Sequence, residues 1–392
     1  MADAPKKKKK KKKKAHRFYD YSLLLSVVFL TVFGLIMIYS ASSYRAQLIQ
    51  GDAAYFVKRQ GVIAAASAVI MLGISKIDYH WFAKFTWPAY IVSLGCMIAT
   101  MFFGVESHGK KRWLQIGPVQ FQPTELVKIS LILFLAVVIS RMGLKINEFR
   151  NVRAIIIWCG VPALLITENN LSSGIITCGI VFVVLFVACK IKWPFFACVG
   201  AGMGLIAVSP YIGKALVAVR LLKPYQMDRI TAWVDPAATD TGYQTLQGLY
   251  AIGSGGFFGR GLGQSLQKLG FVPEPQNDMI FSIICEELGL FGAILLILMF
   301  MFMIYRFMVI ASNAPDLMGS LLVVGVMAHI GIQVILNVAV VTNFIPNTGV
   351  TLPFISYGGT SVAFLMMEMG MVLSVSNQIK LEGWELDGED FL

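Results

Sequence analysis

The sequence predicts an all-α integral membrane protein with about ten transmembrane helices, one large extracytoplasmic loop and both termini in the cytoplasm. Three observations support this fold class. Apolar residues occupy 57% of the 392 positions, and the mean hydropathy is +0.70. Apolar runs recur at lengths that cross a bilayer as helices, at about 1.5 Å of rise per residue. The segments between these runs are too short or too apolar to form a separate soluble domain.

Ten apolar segments are assigned as spans in chain order. They are residues 21–40, 60–76, 85–104, 124–141, 153–168, 171–189, 193–213, 279–305, 316–344 and 361–378. An even number of spans places both termini on one side of the membrane. Several connections rich in arginine and lysine then lie on the side of the N-terminus, as the positive-inside tendency favours. The largest polar insertion, about residues 214–278, lies on the outer side.

The charge of the chain is concentrated at its start. Nine consecutive lysines, Lys6–Lys14, supply most of the formal net charge of +11. Such a low-complexity block is typical of a disordered segment, and anionic lipid of the cytoplasmic leaflet attracts it. We therefore divide the chain into a cytoplasmic poly-Lys tail (1–18), a membrane domain (19–378) and an acidic cytoplasmic tail (379–392). No aromatic or motif context supports nucleic-acid binding.

Neither cysteine nor histidine spacing predicts a metal site. The six cysteines include no CxxC pair, and the four histidines lie far apart in the sequence. Zinc sites and disulfide frameworks require closer, patterned spacing. We interpret the cysteines as lone buried thiols.

Asp278 is the strongest candidate for a catalytic residue. It follows Pro273 and Pro275 and immediately precedes the apolar start of the eighth predicted span. An aspartate in this position often caps a helix by accepting backbone N–H groups. The alternative is a reactive carboxylate at the outer membrane boundary, facing a loop rich in cations. Composition alone leaves both interpretations open.

Other ionisable residues fall inside predicted spans, where such groups usually face the bundle interior and have a partner. Glu286 and Glu287 lie near the start of the eighth span. Glu125 and Lys128 have i, i+3 spacing, which favours an ion pair on one helix face. A polar stripe in the last two spans predicts interhelical hydrogen bonds, with a proton relay as the alternative. Its members are His329, Gln333, Asn337 and Glu368.

Two glycine-rich segments indicate unusual backbone. Residues 346–361 contain two prolines and a Gly-Gly pair between two apolar runs. Irregular backbone at membrane depth persists only where protein buries it or where it lines a wet cavity, so this segment is expected to shape a site. The glycine run 253–263 lacks the Gly-Lys-Ser/Thr ending of a nucleotide-binding loop. Close packing or a flexible edge of an active site is the favoured interpretation.

Several of these motifs resemble the SEDS family (shape, elongation, division and sporulation proteins). They are Gly242-Tyr-Gln, the glycine run 253–263, residues 273–289 and 348–361, Arg112-Trp113 and residues 122–128. The resemblance extends from the third predicted span to the tenth and is closer to the FtsW and SpoVE branch than to RodA. Three positions depart from the family pattern. Asn170 replaces an acid, Met279 replaces Phe, and Thr360 replaces Ser.

The resemblance implies a peptidoglycan glycosyltransferase that polymerises lipid II at the outer face of the bacterial cytoplasmic membrane, at the division septum. It implies that Asp278 is catalytic, with a class B penicillin-binding protein and other division membrane proteins as partners. A lipid-pyrophosphate donor carries its own good leaving group, so one carboxylate acting as general base suffices, whereas glycosidases use two. A divalent cation at the pyrophosphate is conceivable, although no ligand cluster indicates one.

The remaining candidate residues are assigned to binding or support. Cations that would clamp the pyrophosphate are Lys111, Arg112, Lys223 and Arg229, and Ser356 and Gly358 are further candidate substrate contacts. Glu125, Lys128, Glu286 and Glu287 are expected to support the site. Two other functions stay open. A lipid II flippase requires a polar path through the bundle, and a scaffold that recruits a transpeptidase requires no catalytic carboxylate.

Overall fold

The computed structural model describes residues 18–107, 110–117, 119–218, 224–237 and 239–380. Nearly all of both predicted tails, and Lys223, lie outside these residues. The helices in chain order are α1 (Tyr21–Gln50), α2 (Tyr55–Ile74), α3 (Tyr79–Phe82), α4 (Thr86–Phe103), α5 (Pro123–Met142), α6 (Phe149–Asn169), α7 (Leu171–Ala188), α8 (Trp193–Ala218), α9 (Pro224–Val234), α10 (Tyr243–Gly255), α11 (Ile280–Ser312), α12 (Leu317–Val341) and α13 (Thr360–Ser376).

The helices confirm a multi-span helical membrane protein. Within the described residues, eight helical segments are long and apolar enough to cross a membrane, and they coincide with predicted spans one to six, eight and nine. Shorter apolar helices, Trp193–Leu205 and Thr360–Ser376, coincide with the seventh and tenth. The count of ten spans and the outer loop 214–278 stay predictions. That loop region contains helices α9 and α10.

The first helix is longer than its hydropathy predicts. The apolar run ends near residue 40, but α1 continues to Gln50. Its serines are the reason, because Ser40 and Ser42 are buried inside the bundle rather than exposed to lipid. Ser42 donates to the carbonyl of Ile38, so its hydroxyl is satisfied within the helix.

A small β-sheet joins α4 to α5, which the all-α prediction did not include. Its strands are β1 (Val105–Ser107), β2 (Lys110–Ile116) and β3 (Val119–Phe121), antiparallel in the order β1-β2-β3. Two of the strands have three residues each, too few to give a clear alternating pattern in the sequence. The sheet packs against α4 and holds Lys111 and Arg112 beside the bundle.

Helix α11 is divided by a kink at Gly289. Its 33 residues would extend about 50 Å, more than the roughly 30 Å of a hydrocarbon core. Gly289 has φ 69°, and a Cβ there would lie 2.3 Å from the amide nitrogen of Gly259 and 2.4 Å from the carbonyl oxygen of Phe257. Phe291 donates its N–H to that same carbonyl at 3.0 Å. The glycine run therefore packs backbone to backbone against the kink.

The bundle has two polar ends. Among the candidate spans α12 is the most buried, and it packs against α5, α7 and α11. At the Arg306 end, which carries the start of α1, Asp20 caps that helix and accepts from Arg306 Nη2 at 2.7 Å. The opposite end, where α11 begins, is named here the Asp278 end. It gathers the start of α11, the segment 346–359, and helices α9 and α10.

Candidate functional site

Asp278 lies in the turn that precedes α11, and its carboxylate does not cap the helix. The cap position belongs to Met279, which has no side-chain cap bond. Asp278 Oδ1 instead accepts from Nε2 of Gln244 on α10, at 3.2 Å. A Cβ on Gly349 would lie 3.6 Å from the other carboxylate oxygen, and Gly349 itself is exposed. The carboxylate thus accepts a hydrogen bond from a neutral amide and lies beside the exposed Gly349.

The main chain of Asp278 is fixed by Asn337, the last member of the polar stripe on α12. Asn337 is fully buried, and its Nδ2 donates to the carbonyl of Asp278 at 2.9 Å and to that of Val350 at 2.7 Å. One side chain thereby ties the turn before α11 to the segment after α12. One turn earlier, Gln333 donates to the Thr351 carbonyl at 3.0 Å. The predicted stripe does make interhelical and loop hydrogen bonds.

The electrostatic setting raises the pKa of Asp278 to about 6. Burial is the main cause, because a low-dielectric surrounding disfavours the charged form. The nearby Glu274 carboxylate also raises the pKa. The Asp278 N–H, Gln244 and the Arg229 guanidinium oppose the shift. As a whole residue, Asp278 is nevertheless partly exposed.

Helix α9 places Arg229 at the same site. Its Nη1 donates to the carbonyl of Asn347 at 3.0 Å. The Asn347 side chain approaches Oε1 of Gln244 at 3.4 Å, so Arg229, Asn347, Gln244 and Asp278 form one connected group. At the next turn, Trp233 donates to the carbonyl of Asn343 at 3.0 Å and fastens α9 over the segment after α12.

Lys111 and Arg112 line a cleft further from Asp278. Arg112 Nε donates to the carbonyl of Asn169 at 3.3 Å, and Lys111 Nζ donates to that of Phe102 at 3.0 Å. The cleft is lined by Met97, Thr100, Lys111, Arg112, Gln122, Thr124, Asn169 and Asn170. Asn170, which stands where the resembled family has an acid, caps α7 by accepting from the Ser173 N–H.

Ser356 and Gly358 belong to a turn between α12 and α13. Ser356 is 3% exposed, and its hydroxyl accepts from the Leu352 N–H at 2.7 Å. The next residue, Tyr357, donates its N–H to the carbonyl of Gln276, close to Asp278, at 2.8 Å. Gly358 is partly exposed. This geometry gives Ser356 a role in shaping the turn, and substrate contact by either residue stays a prediction.

Glu286 and Glu287 are fully buried and hold the loop that follows the glycine run. Glu287 lies 2.8 Å from the Lys268 ammonium and accepts from the Ser40 hydroxyl at 2.7 Å. Glu286 accepts from the Leu266 N–H at 3.0 Å, and the Arg260 guanidinium lies 3.7 Å away. Each buried carboxylate therefore has a cation beside it.

Glu125 and Lys128 form the predicted ion pair, at 2.8 Å, and it extends into a longer chain. Lys128 Nζ lies 2.8 Å from Nε2 of His329, and Nδ1 of His329 lies 2.8 Å from Glu368. The spacing fits an imidazole that accepts from the ammonium and donates to the carboxylate. These four buried groups satisfy one another across α5, α12 and α13.

Sequence reasoning located Asp278, the polar stripe and the Gly242-Tyr-Gln motif that contains Gln244, but it did not place Gln244 beside the carboxylate. Asn347, and Lys268 beside Glu287, carry no local signal, because polar residues in a loop are common and only the fold brings them to their partners. Within the described residues, no group of three or more His, Cys, Asp or Glu is placed to hold a metal ion.

Comparisons with known proteins agree with this architecture. The profile of a family described as "Cell cycle protein", which covers FtsW, RodA and SpoVE, matches residues 21–381. Stage V sporulation protein E of Bacillus subtilis (strain 168) is 37% identical, over 91% of this chain and 96% of that protein. A protein named probable peptidoglycan glycosyltransferase FtsW, from Geobacter sp. (strain M18), is 32% identical over 92% and 98%.

A solved structure shares the fold over almost its whole length. It comes from a study of how a peptidoglycan synthase complex coordinates polymerization and crosslinking. It matches with a TM-score of 0.75 and 26% identity, covering 92% of this chain and 98% of that one. The profile and the relatives each cover more than nine-tenths of the chain. This chain belongs to the FtsW/RodA/SpoVE family of cell cycle proteins.

Proposed function

We propose that this protein is a peptidoglycan glycosyltransferase, which polymerises lipid II into glycan strands at the outer face of the cytoplasmic membrane during septal wall synthesis. The observation that carries the proposal is the Asp278 carboxylate. It belongs to a partly exposed residue, accepts a hydrogen bond from a neutral amide, and has a pKa raised to about 6. A relative aligned over 98% of its own length is named probable peptidoglycan glycosyltransferase FtsW, which supports the reaction class.

Asp278 would act as the general base. It takes the proton of the acceptor's 4-hydroxyl on N-acetylglucosamine while that oxygen bonds to the anomeric carbon of the donor. The bond from that carbon to the phosphate oxygen breaks, and the pyrophosphate leaves with the electron pair. A pKa of about 6 makes the carboxylate a stronger base than an ordinary aspartate, yet leaves it mostly ionised at neutral pH.

Cations at the Asp278 end would stabilise the charge that develops on the leaving group. Arg229 is the nearest described candidate, because it acts on the Asp278 carboxylate electrostatically. Lys111, Arg112 and Lys223 are further candidates for binding a substrate pyrophosphate, with Ser356 and Gly358 as sugar or phosphate contacts. A divalent cation joining the pyrophosphate would be held mainly by phosphate oxygens, since the described residues offer no ligand cluster of their own.

We propose a class B penicillin-binding protein as the partner that crosslinks the product, with other division membrane proteins at the septum. The support is the similar structure, which was solved as part of a peptidoglycan synthase complex that couples polymerization to crosslinking. The lipid bilayer is the remaining partner, and no nucleic acid is proposed.

The two alternatives predict different geometry. A flippase requires a polar passage, but four ionisable residues inside the bundle, Glu125, Lys128, His329 and Glu368, are buried and paired with one another. A scaffold gives no reason to hold a carboxylate beside an open segment with a raised pKa. The polymerase accounts for Asp278 more completely than either.

The test is glycan-strand formation from labelled lipid II by purified protein, with and without a cognate class B partner. Wild type should form polymer, and Asp278→Asn should form none while keeping wild-type thermal stability or better. The matched control is Asp240→Asn, an exposed aspartate of the same outer region, which should polymerise as wild type does. Equal amounts of polymer from wild type and Asp278→Asn would show that Asp278 is not the general base. No polymer from wild type in either condition would favour transport or scaffolding.

A further inference from the structure

The cleft lined by Lys111 and Arg112, named here the Arg112 cleft, is surrounded by groups that attract an anion. Helices α5 and α7 both begin at it, and their N-cap residues, Gln122 and Asn170, line its wall. A helix start presents unsatisfied N–H groups and the positive end of the helix dipole. Gln122 makes no side-chain cap bond to α5. Two helix starts and two cationic side chains therefore converge on one small volume.

Unsatisfied polar atoms inside the Arg112 cleft indicate that a ligand completes it. Thr124 is 4% exposed, and its hydroxyl has no hydrogen-bond partner within the described part of the chain. The buried Nδ2 of Asn169 likewise has no acceptor there. Buried polar groups are nearly always paired in native proteins. Three acids flank the cleft: Glu106 lies opposite Lys111 in the sheet, Glu168 precedes Asn169, and Glu125 is paired with the Lys128 ammonium at 2.8 Å. The lining side chains of Lys111, Arg112 and Thr124 can donate to phosphate oxygens.

The Arg112 cleft and Arg229 are connected to Asp278 in different ways. Arg229 acts on the Asp278 carboxylate through space, and it contacts Asn347. The cleft is connected to Asp278 through a longer chain of contacts. Asn170 lies two residues before Ser172, whose hydroxyl donates to the carbonyl of Thr348, and Thr348 precedes Gly349 beside the carboxylate.

The proposed reaction needs two pyrophosphate sites at unequal distances from the base. In the donor, the pyrophosphate is bonded to the carbon under attack, so it lies next to the acceptor hydroxyl and its base. In the acceptor, the 4-hydroxyl is on the outer sugar, and a whole disaccharide separates it from the acceptor's own pyrophosphate. A site for the acceptor's pyrophosphate must therefore be set back from Asp278, whereas a site for the donor's must adjoin it.

We propose that the Arg112 cleft binds the pyrophosphate of the acceptor lipid II, and that Arg229 serves the leaving pyrophosphate of the donor. This assignment rests on the glycosyltransferase function proposed above. It gives the two cationic centres different tasks. The Arg112 cleft orients the acceptor so that its distant hydroxyl meets Asp278, and Arg229 stabilises charge as the bond breaks.

A two-substrate assay separates these tasks. Lipid II whose 4-hydroxyl is blocked by an added sugar can act only as donor, and ordinary lipid II then supplies the acceptor. The blocked molecule carries the label, and the rate of formation of the labelled pentasaccharide (three donor sugars and two acceptor sugars) is measured while each substrate is varied in turn. Arg112→Gln should raise the KM for the acceptor about tenfold, the effect of losing one charged contact. The KM for the donor should change less than twofold. Arg229→Gln should mainly lower kcat.

Two further variants guard against simple misfolding. Thr124→Val removes only the unpaired hydroxyl and should also raise the acceptor KM, with kcat retained. Lys58→Gln removes an exposed cation that pairs with Asp52, away from the cleft, and should change neither KM. Labelled pentasaccharide formation with an unchanged acceptor KM in both Arg112→Gln and Thr124→Val would overturn this inference alone. No labelled pentasaccharide from wild type would overturn the glycosyltransferase function as well.

Discussion

The hydrogen bond from Gln244 to Asp278 should set the pH at which the protein becomes active. This bond favours the ionised carboxylate, so its loss in Gln244→Met raises the pKa of Asp278. A hydrogen bond to a charged group contributes roughly 1.5 kcal/mol, and about 1.4 kcal/mol corresponds to one pKa unit. We therefore expect the acid limb of the activity profile to move from about pH 6 to about pH 7.

The size of the effect depends on where it is measured. With a pKa of about 6, half of the wild-type carboxylates are ionised at pH 6, against about one-tenth in Gln244→Met, so activity falls about fivefold. At pH 8 both are almost fully ionised and should differ little. The assay is kcat/KM for lipid II polymerisation between pH 5 and pH 8.5, because this ratio reports the free enzyme's groups.

Glu274→Gln provides a control of opposite sign. The Glu274 carboxylate raises the pKa of Asp278 by like-charge repulsion, so neutralising it should move the limb to lower pH. A variant that merely damages the fold lowers activity at every pH and leaves the limb in place. If the acid limb of the pH–activity profile lies at the same pH in wild type, Gln244→Met and Glu274→Gln, the titrating base is not Asp278.

Three other perturbations test parts of the structure around the site. Gly289→Ala should destabilise the protein by about 1–3 kcal/mol in thermal unfolding, because its Cβ meets the backbone of residues 257–259; Gly253→Ala, with open space, should gain about 0.5–1 kcal/mol. Lys128→Met should cost about 3–5 kcal/mol by leaving buried Glu125 unpaired, and adding Glu125→Gln should recover most of it. The folded pKa of Asp278 is raised from 3.8 to about 6, so wild type loses stability as pH rises through that window. Asp278→Asn should therefore melt at a higher temperature than wild type at pH 7.5, and the two should melt at the same temperature at pH 4.

How far the sequence predicts the fold depends on the kind of signal. Hydropathy located the helices because a bilayer requires long apolar segments, and most span boundaries agree to within a few residues. It failed where burial in protein replaced lipid, as in the polar second half of α1. The sheet around Arg112 was missed because β1 and β3, the two strands that pair with β2, have three residues each and are too brief to show a period.

The candidate site was predictable in its reactive group but not in its setting. Asp278 stood out because two prolines and an apolar helix start surround it in the sequence. The i, i+4 spacing of Gln333 and Asn337 predicted polar contacts across the bundle, and both contacts exist. Gln244 and Arg229 were 34 and 49 positions away from Asp278 in a loop without periodicity, so only tertiary contacts could identify them as its neighbours.

The partners of the buried carboxylates explain why Asp278, rather than another acid, suits the role of base. Glu287, Glu286 and Glu125 each have a cation at 2.8 to 3.7 Å. Removing one partner of a buried ion pair is strongly destabilising, so these carboxylates serve the fold. The Asp278 carboxylate is held by a neutral amide, so protonation sacrifices no such pair.

This contrast leads to a prediction for the supporting acids. Glu286→Gln should lower thermal stability, because Arg260 loses its counter-charge and the bond to the Leu266 N–H weakens. The protein that stays folded should keep the acid limb near pH 6, since Glu286 is not among the groups that shift the pKa of Asp278. A limb displaced by a full unit in Glu286→Gln, at a temperature where the variant is folded, would mean that the two carboxylates titrate together. Asp278 could then no longer be treated as a base that acts alone.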